Sequence, residues 1–170
     1  MVKPACQGSS IGVTIVRKEA DLDAALKESF TYGDRVLAEA YFTGKEVAGG
    51  VMQDENGKAV AMPLVLIEPH VGYYDYKNKY TKGATTYTCP APFDEATTKK
   101  LQKVAVAAYN ALGCQGVARV DLMLAADGSC IALEVNTVPG MTATSLIPKA
   151  ASAMGIPFPD LCEKILNTAH

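Results

Sequence analysis

The chain has 170 residues, of which 49% are hydrophobic and 20% charged, with a formal net charge of −2. These values suit a globular domain with a real core and exclude a basic nucleic-acid footprint or a membrane-surface patch. No apolar run approaches the ~20 residues of a membrane span, and Val2 to Ala5 is too short to head a signal peptide.

The first segment, "VKPACQGSSIGV", reads as a strand at Val2 to Ala5, a Gly/Ser loop, and a second strand from Gly12 to Val16. A domain seldom opens inside a loop-bearing hairpin, so the expectation is a piece of a longer protein. Leu22, Ala25, Leu26 and Phe30 recur at helical spacing and predict a helix from about Glu19 to Thr31. "RVLAEAYF" and "KEVAGGVMQ" read as strands joined at Thr43-Gly44. The Asn-Gly of "DENGK" predicts a hairpin turn, because that pair tolerates positive φ at both central positions. Ala59 to Glu68 is then the next strand, with Pro63 marking an edge or bulge. Periodicity stops from Pro69 to Pro92, where four tyrosines argue for an ordered, functional loop. Asp94 caps a helix whose buried face is Leu101, Val104, Ala105, Ala108 and Leu112, ended by Gly113. Two further helices follow: one capped by Ser145 with Pro148 in its first turn, and a last one with Leu161, Ile165 and Leu166 on its apolar face. Strands and hairpins with inserted helices predict an α+β fold with a largely antiparallel sheet and flanking helices.

Five cysteines (Cys6, Cys89, Cys114, Cys130 and Cys162) include no C-x-x-C pair, and the histidines are His70 and His170. That pattern reads as reduced thiols in a cytoplasmic protein rather than a disulfide frame or a zinc site.

The chemistry concentrates in "ARVDLMLAADGSCIALEVNT", Ala118 to Thr137. If Asp127-Gly128 is a two-residue loop, Ala126 faces Ser129, and pairing back along the strands sets Asp121 opposite Glu134 and Arg119 opposite Asn136. Opposed residues share a sheet face. Like charges so placed repel, and a divalent cation with hard oxygen ligands, such as Mg²⁺ arriving with phosphates, removes the conflict. Neutralisation by Arg119 alone is the bland alternative. Gly8, Ser9, Ser10 and Gly12 form a loop whose amides can wrap a phosphate, with Lys3 before it, although a surface turn reads equally well and no Walker pattern is present. Glu39 and Glu46 flank the Thr43-Gly44 connection, and solvent-facing strand charges remain an equal reading.

Taken together and in order, "VKPACQGSSIGV", "LAEAYFTGKEV", "YYDYKNKYTKGATTYTCPA", "GCQGVARVDLML" and "LEVNTVPGMTATSLIPKAA" resemble the D-alanine-D-alanine ligases of the ATP-grasp superfamily. The resemblance is collinear over residues 1–170 and corresponds to the C-terminal portion of such an enzyme, its N-terminal domain and the start of its central domain lying outside. It implies ATP-dependent dipeptide formation through an acyl phosphate, for peptidoglycan precursors and hence cell shape, in the cytoplasm. The implied partners are D-alanine and ATP with Mg²⁺, or Mn²⁺ in its place, without nucleic acid or membrane.

By the same resemblance, Asp121, Glu134 and Asn136 are metal ligands. Arg119 stabilises developing negative charge with the Gly140 amide. Lys3 and Lys79 reach ATP phosphates, and Ser9 lies in the mobile loop. Glu39, Phe42 and Glu46 contact adenine and ribose. Met123 and Leu133 wall the adenine pocket, where plain core packing is the competing reading. Ser145 and Leu146 open the helix that binds the second substrate's carboxylate. Lys79-Tyr80, in the lid-like Tyr-rich loop, is the pattern of dipeptide-forming members, with Tyr80 among the catalytic groups.

Two departures from the family pattern stand out: Ala143-Thr144 where many relatives have Ser-His, and Cys6-Gln7 where a charged pair is common. The isolated piece is expected to be inactive and monomeric, the full-length enzyme a homodimer. The alternatives are another ATP-grasp carboxylate-amine ligase, of the D-alanyl-D-serine or D-lactate type, and a non-catalytic nucleotide-binding fragment.

Overall fold

The computed structural model describes residues 1–72, 81 and 83–168. Length alone suggests one core, but the chain divides into two compact units, residues 1–42 with 69–85 and residues 43–68 with 86–170.

In the first unit, β1 (Val2–Pro4) and β2 (Val36–Ala38) pair antiparallel, with Lys3 opposite Leu37. Helix α1 (Leu22–Phe30) follows a short 3₁₀ turn at Glu19–Asp21. It buries Ala25 and Ser29 and leaves Phe30 half exposed. A two-stranded sheet is too narrow to cover the helix's whole apolar stripe. The strand expected at Gly12 to Val16 shrinks to a single bridge between Val2 and Thr14. Ser9, Ser10 and Gly12 adopt left-handed φ values of 54°, 60° and 69°, and such a coil cannot feed a regular strand. The Ser29 hydroxyl donates to the Gly12 carbonyl at 3.1 Å and ties the loop to α1.

The second unit carries β3 (Lys45–Gln53), β4 (Ala59–Ala61), β7 (Val117–Leu124) and β8 (Cys130–Asn136), with all but one terminal residue each of β5 (Val65–Pro69) and β6 (Thr85–Thr88). Among the described residues the sheet order is β6-β5-β3-β7-β8, with β4 also on β3. The predicted Ala59 to Glu68 strand is thus broken in two around Pro63, which supplies no ladder donor. The two strands joined through Thr43-Gly44 do not pair with each other: β2 pairs with β1, whereas β3 pairs with β4, β5 and β7. Strand β6 sits inside the stretch read from sequence as loop.

One face of this sheet packs on α2 (Glu95–Ala111), whose N-cap Asp94 accepts the Thr97 amide at 2.7 Å. Val47, Val51, Leu64, Leu66, Ala118, Val120 and Leu122 close against Leu101, Ala105 and Tyr109. Tyr109, missed in the sequence, completes the i, i+4, i+8 stripe and donates from its hydroxyl to the Gly116 carbonyl at 3.0 Å. Leu112 falls at the helix C-cap and is exposed. Leu166, at the last residue of α4 (Phe158–Leu166), is exposed as well, because Leu161 alone centres that helix's buried face. Adjacent glycines seat a helix on each side of β3. A Cβ on Gly49 would lie 2.9 Å from Ala105 of α2, and one on Gly50 3.1 Å from Ile147 of α3 (Leu146–Ala153).

Candidate active site

The β7–β8 ladder sets the site. Arg119 lies opposite Asn136 and Asp121 opposite Glu134, as the sequence predicts, but by a different route. The turn is a three-residue loop: the Gly128 amide donates to the Ala125 carbonyl, Gly128 is left-handed at φ 79°, and Ala125, not Ala126, opposes Ser129. This is a type I turn closed by a left-handed glycine, stabilised by Asp127, whose Oδ1 accepts the Ser129 amide and hydroxyl at 2.8 and 2.6 Å. The longer loop slips the register by one, so that Leu122 faces Ala132, Met123 faces Ile131 and Leu124 faces Cys130. A β-bulge then restores it, with Leu133 as the extra residue between Ala132 and Glu134. Without that bulge Asp121 would face Leu133, and Glu134 would swing to the helix-packed face.

On the face away from α2, Arg119 grips Asp121 in a bidentate fork, Nε to Oδ1 at 2.6 Å and Nη2 to Oδ2 at 2.9 Å. Asn136 Nδ2 donates at 3.2 Å to Asp121 Oδ2 and at 3.2 Å to Glu134 Oε1, so the amide stands between the two carboxylates. Asp121 is buried at 9% exposure, whereas Glu134 is open to solvent. The carboxylates therefore converge on one point rather than pointing apart.

The donor set fits a hard divalent cation. Two carboxylates and an amide meet where Asn136 already bridges them, and turning that amide by half a rotation offers its Oδ1 there. One guanidinium against two carboxylates leaves the cluster one negative charge in excess. Among the described residues no three His, Cys, Asp or Glu side chains cluster, so the amide completes the set.

The neighbouring β3–β7 ladder places Glu46 of β3 opposite Met123, and Gly50 opposite Arg119. Glu46, Met123, Asp121 and Arg119 therefore line one face in sequence. Leu133 is exposed at 44% on the bulge, so core packing does not account for it. Ser145 stands at the N-cap of α3, but its hydroxyl bonds no helix amide; it accepts the Thr142 amide at 3.0 Å instead. Leu146, the first residue of α3, is buried. A Cβ on Gly140 would fall 2.9 Å from Ser145 Oγ, which puts that glycine beside the serine.

Lys3, Ser9, Glu39 and Phe42 belong to the first unit. Lys3 Nζ pairs with Glu39 at 2.6 Å across the β1–β2 ladder. Ser9 holds a strained left-handed conformation in the Gly/Ser loop, and Phe42, half-buried, ends the unit's first segment. Lys79 and Tyr80 lie outside the described residues. Sequence reasoning missed Thr142, whose amide and hydroxyl both engage Ser145; the spacing T-x-x-S before a helix was the available signal.

An antiparallel sheet flanked by helices, with an Arg-Asp-Glu-Asn cluster on its face away from α2, is the C-terminal part of an ATP-grasp fold. The family model described as "D-ala D-ala ligase C-terminus" matches residues 1–167, and the chain belongs to that family. It is 50% identical over 170 residues to the D-alanine–D-alanine ligase of Methylacidiphilum infernorum (isolate V4), covering 100% of this chain and 54% of that protein. The VanG D-Ala:D-Ser ligase of Enterococcus faecalis superimposes with a TM-score of 0.83 at 33% identity, over 98% of this chain and 48% of that one. The D-alanine–D-alanine ligase of Bacillus anthracis complexed with ATP does so at 0.80 and 31%, over 98% and 50%. The chain thus spans about half the length of the curated relatives it matches.

Proposed function

We propose that this chain is the C-terminal catalytic portion of an ATP-dependent D-alanine–D-alanine ligase. The observation that carries the reading is the bulged β7–β8 register, which brings Asp121, Glu134, Asn136 and Arg119 to one spot. The first D-alanine's carboxylate oxygen attacks the γ-phosphorus of ATP, forming an acyl phosphate and releasing ADP. The second D-alanine's amine then attacks the acyl carbon, and the tetrahedral intermediate collapses to the dipeptide and inorganic phosphate. Such transfers need positioning and charge neutralisation more than covalent help from the protein.

Asp121, Glu134 and Asn136 would hold Mg²⁺, which when bound neutralises phosphate charge. Arg119, with its planar fork and permanent charge, suits a phosphoryl or carbonyl oxygen, and the Gly140 amide adds a donor for the oxyanion. The Ser145 hydroxyl and Leu146 amide take the second substrate's carboxylate at the start of α3, where a helix favours anions. In the first unit, Lys3 and the amides around Ser9 serve phosphate. Glu39 and Phe42 of that unit serve ribose and adenine; in the second unit Glu46 has the same role, with Met123 and Leu133 as apolar walls. Lys79 adds phosphate contact, and Lys79 and Tyr80 bear on the second substrate; these two roles rest on sequence alone.

The test joins this chain to the complementary half of the Methylacidiphilum infernorum ligase and follows D-alanine-dependent phosphate release. The joined enzyme is expected to release phosphate with D-alanine, and the isolated chain is not. Release with D-serine or D-lactate in preference to D-alanine would reassign the second substrate. ATP binding without release for any acceptor would overturn the ligase reading.

A further inference from the structure

The loop before α3 carries a hydroxyl chain. Thr144 Oγ1 lies 3.2 Å from Thr142 Oγ1, and Thr142 Oγ1 lies 2.9 Å from Ser145 Oγ. The Thr142 amide donates to the same Ser145 oxygen, while the Ser145 amide returns to the Thr142 carbonyl at 2.9 Å. A serine at an N-cap ordinarily accepts from the second or third helical amide. Here the third helical residue is Pro148, which has no amide hydrogen, and Ser145 makes no cap bond.

A hydroxyl has one proton and two lone pairs. In Ser145 the Thr142 amide occupies one lone pair. If the Thr142 hydroxyl donates into the second, the Ser145 proton has to point away from the loop, toward an external acceptor. Thr144 donating to Thr142 continues that direction, which the geometry of both hydroxyl pairs permits, and hydroxyls donating in series polarise one another. The chain then reads Thr144 to Thr142 to Ser145 to ligand, every member a donor to the next.

We infer that Thr142 is a positioning residue. It keeps Ser145 off the helix and turns the serine's proton outward to the carboxylate of the second substrate, with Thr144 at the head of the relay. This deepens the ligase reading and rests on it. It also gives a role to Thr144, one half of the pair that departs from the family pattern.

The test uses the joined enzyme, with KM for D-alanine as second substrate, KM for ATP and kcat measured separately. Thr142→Val keeps the shape and the backbone amide but removes the relay. It is expected to raise the second-substrate KM about tenfold, the size of one hydrogen bond to a charged group, with ATP KM unchanged and kcat altered far less. Thr142→Ser should restore the KM to within about twofold to threefold. Thr144→Val, at the exposed head of the chain, should raise it by about threefold. In a Ser145→Ala background, Thr142→Val should add nothing further.

An unchanged KM in Thr142→Val, or no rescue by Thr142→Ser in a folded variant, overturns the inference. If Ser145→Ala raises the KM while Thr142→Val does not, only the relay falls. If Ser145→Ala leaves it unchanged, the carboxylate site itself falls and the relay with it. Should Thr142→Val fail to fold, Thr144→Val and Thr142→Ser decide by the same KM readout.

Discussion

Two hairpins in the second unit use the same turn to different ends. At β3–β4, Asp54 to Lys58, the Gly57 amide donates to the Asp54 carbonyl and Gly57 is left-handed at 75°. At β7–β8 the Gly128 amide donates to Ala125 and Gly128 stands at 79°. An aspartate orders each: Asp54 accepts the Asn56 and Lys58 amides, both at 2.9 Å, and Asp127 accepts from Ser129. A side chain clamps each glycine carbonyl, Gln53 at 3.2 Å on Gly57 and Lys100 at 2.6 Å on Gly128. Beyond the turn they part. The β3–β4 ladder runs without a shift from Gln53 opposite Ala59 to Val51 opposite Ala61, whereas the β7–β8 ladder bulges at Leu133 just before Asp121. The turn is therefore scaffolding common to both, and the bulge is what sets Asp121 opposite Glu134 in one of them.

That difference can be broken deliberately. The largest effect is expected on chemistry. Asp121→Asn in the joined enzyme should cut D-alanine-dependent phosphate release by about a hundredfold or more, if its carboxylate holds the metal as proposed. Asn56→Ala in the plain hairpin should leave it within about twofold, as expected for an exposed residue away from the site. Next comes packing. Leu122 is fully buried at 0% exposure and Val60 of β4 is 39% exposed. Leu122→Ala should lower unfolding stability by about 2–4 kcal/mol and Val60→Ala by about 0.5 or less, as read by denaturant titration of the chain.

Smaller still, Gly57→Ala and Gly128→Ala should each cost about 1 kcal/mol. Nothing lies within 4 Å of a Cβ at either position, so backbone strain is the whole effect and the two values should agree. Unequal losses would show that the turns differ.

The smallest effect separates the turns by pH. The Ser129 hydroxyl and amide hold the Asp127 carboxyl below the ordinary aspartate value. A depressed folded pKa adds stability above the unfolded value, near 4, and that contribution fades as pH falls through the folded value. The melting-temperature gap between wild type and Asp127→Ala should therefore be present at pH 7 and shrink by pH 3. A gap that widens in acid would reverse the sign.

The sequence revealed the residue pairing of the site more faithfully than its geometry. Alternating polar residues on two apolar strands fix which side chains share a face, because a one-residue slip would bury Glu134. Turn length and bulge compensate each other in that pairing, so a two-residue loop with a straight ladder and a three-residue loop with a bulge read alike. Short strands were harder. The stretch from Gly12 to Val16 looks extended by composition but is coiled by Ser9 and Ser10, and β6 hides in a Tyr- and Thr-rich run without apolar alternation. The partnership of β2 with β1 rather than β3 depends on long-range pairing that local pattern does not encode. Tyr109 was legible in principle from the Leu101, Ala105 spacing. The Thr142 bonds to Ser145 were not, because hydroxyl direction follows from loop geometry.

The central claim is that Asp121 and Glu134 are brought side by side to hold a divalent cation with nucleotide. Its most direct test is Mn²⁺ titration of the joined enzyme in the presence of ADP, with free metal counted by electron paramagnetic resonance. Wild type should bind Mn²⁺, and Glu134→Gln should weaken that binding by about tenfold or more, the scale of losing one charged oxygen ligand. Equal affinity in the two proteins, or no binding by wild type, would contradict the account.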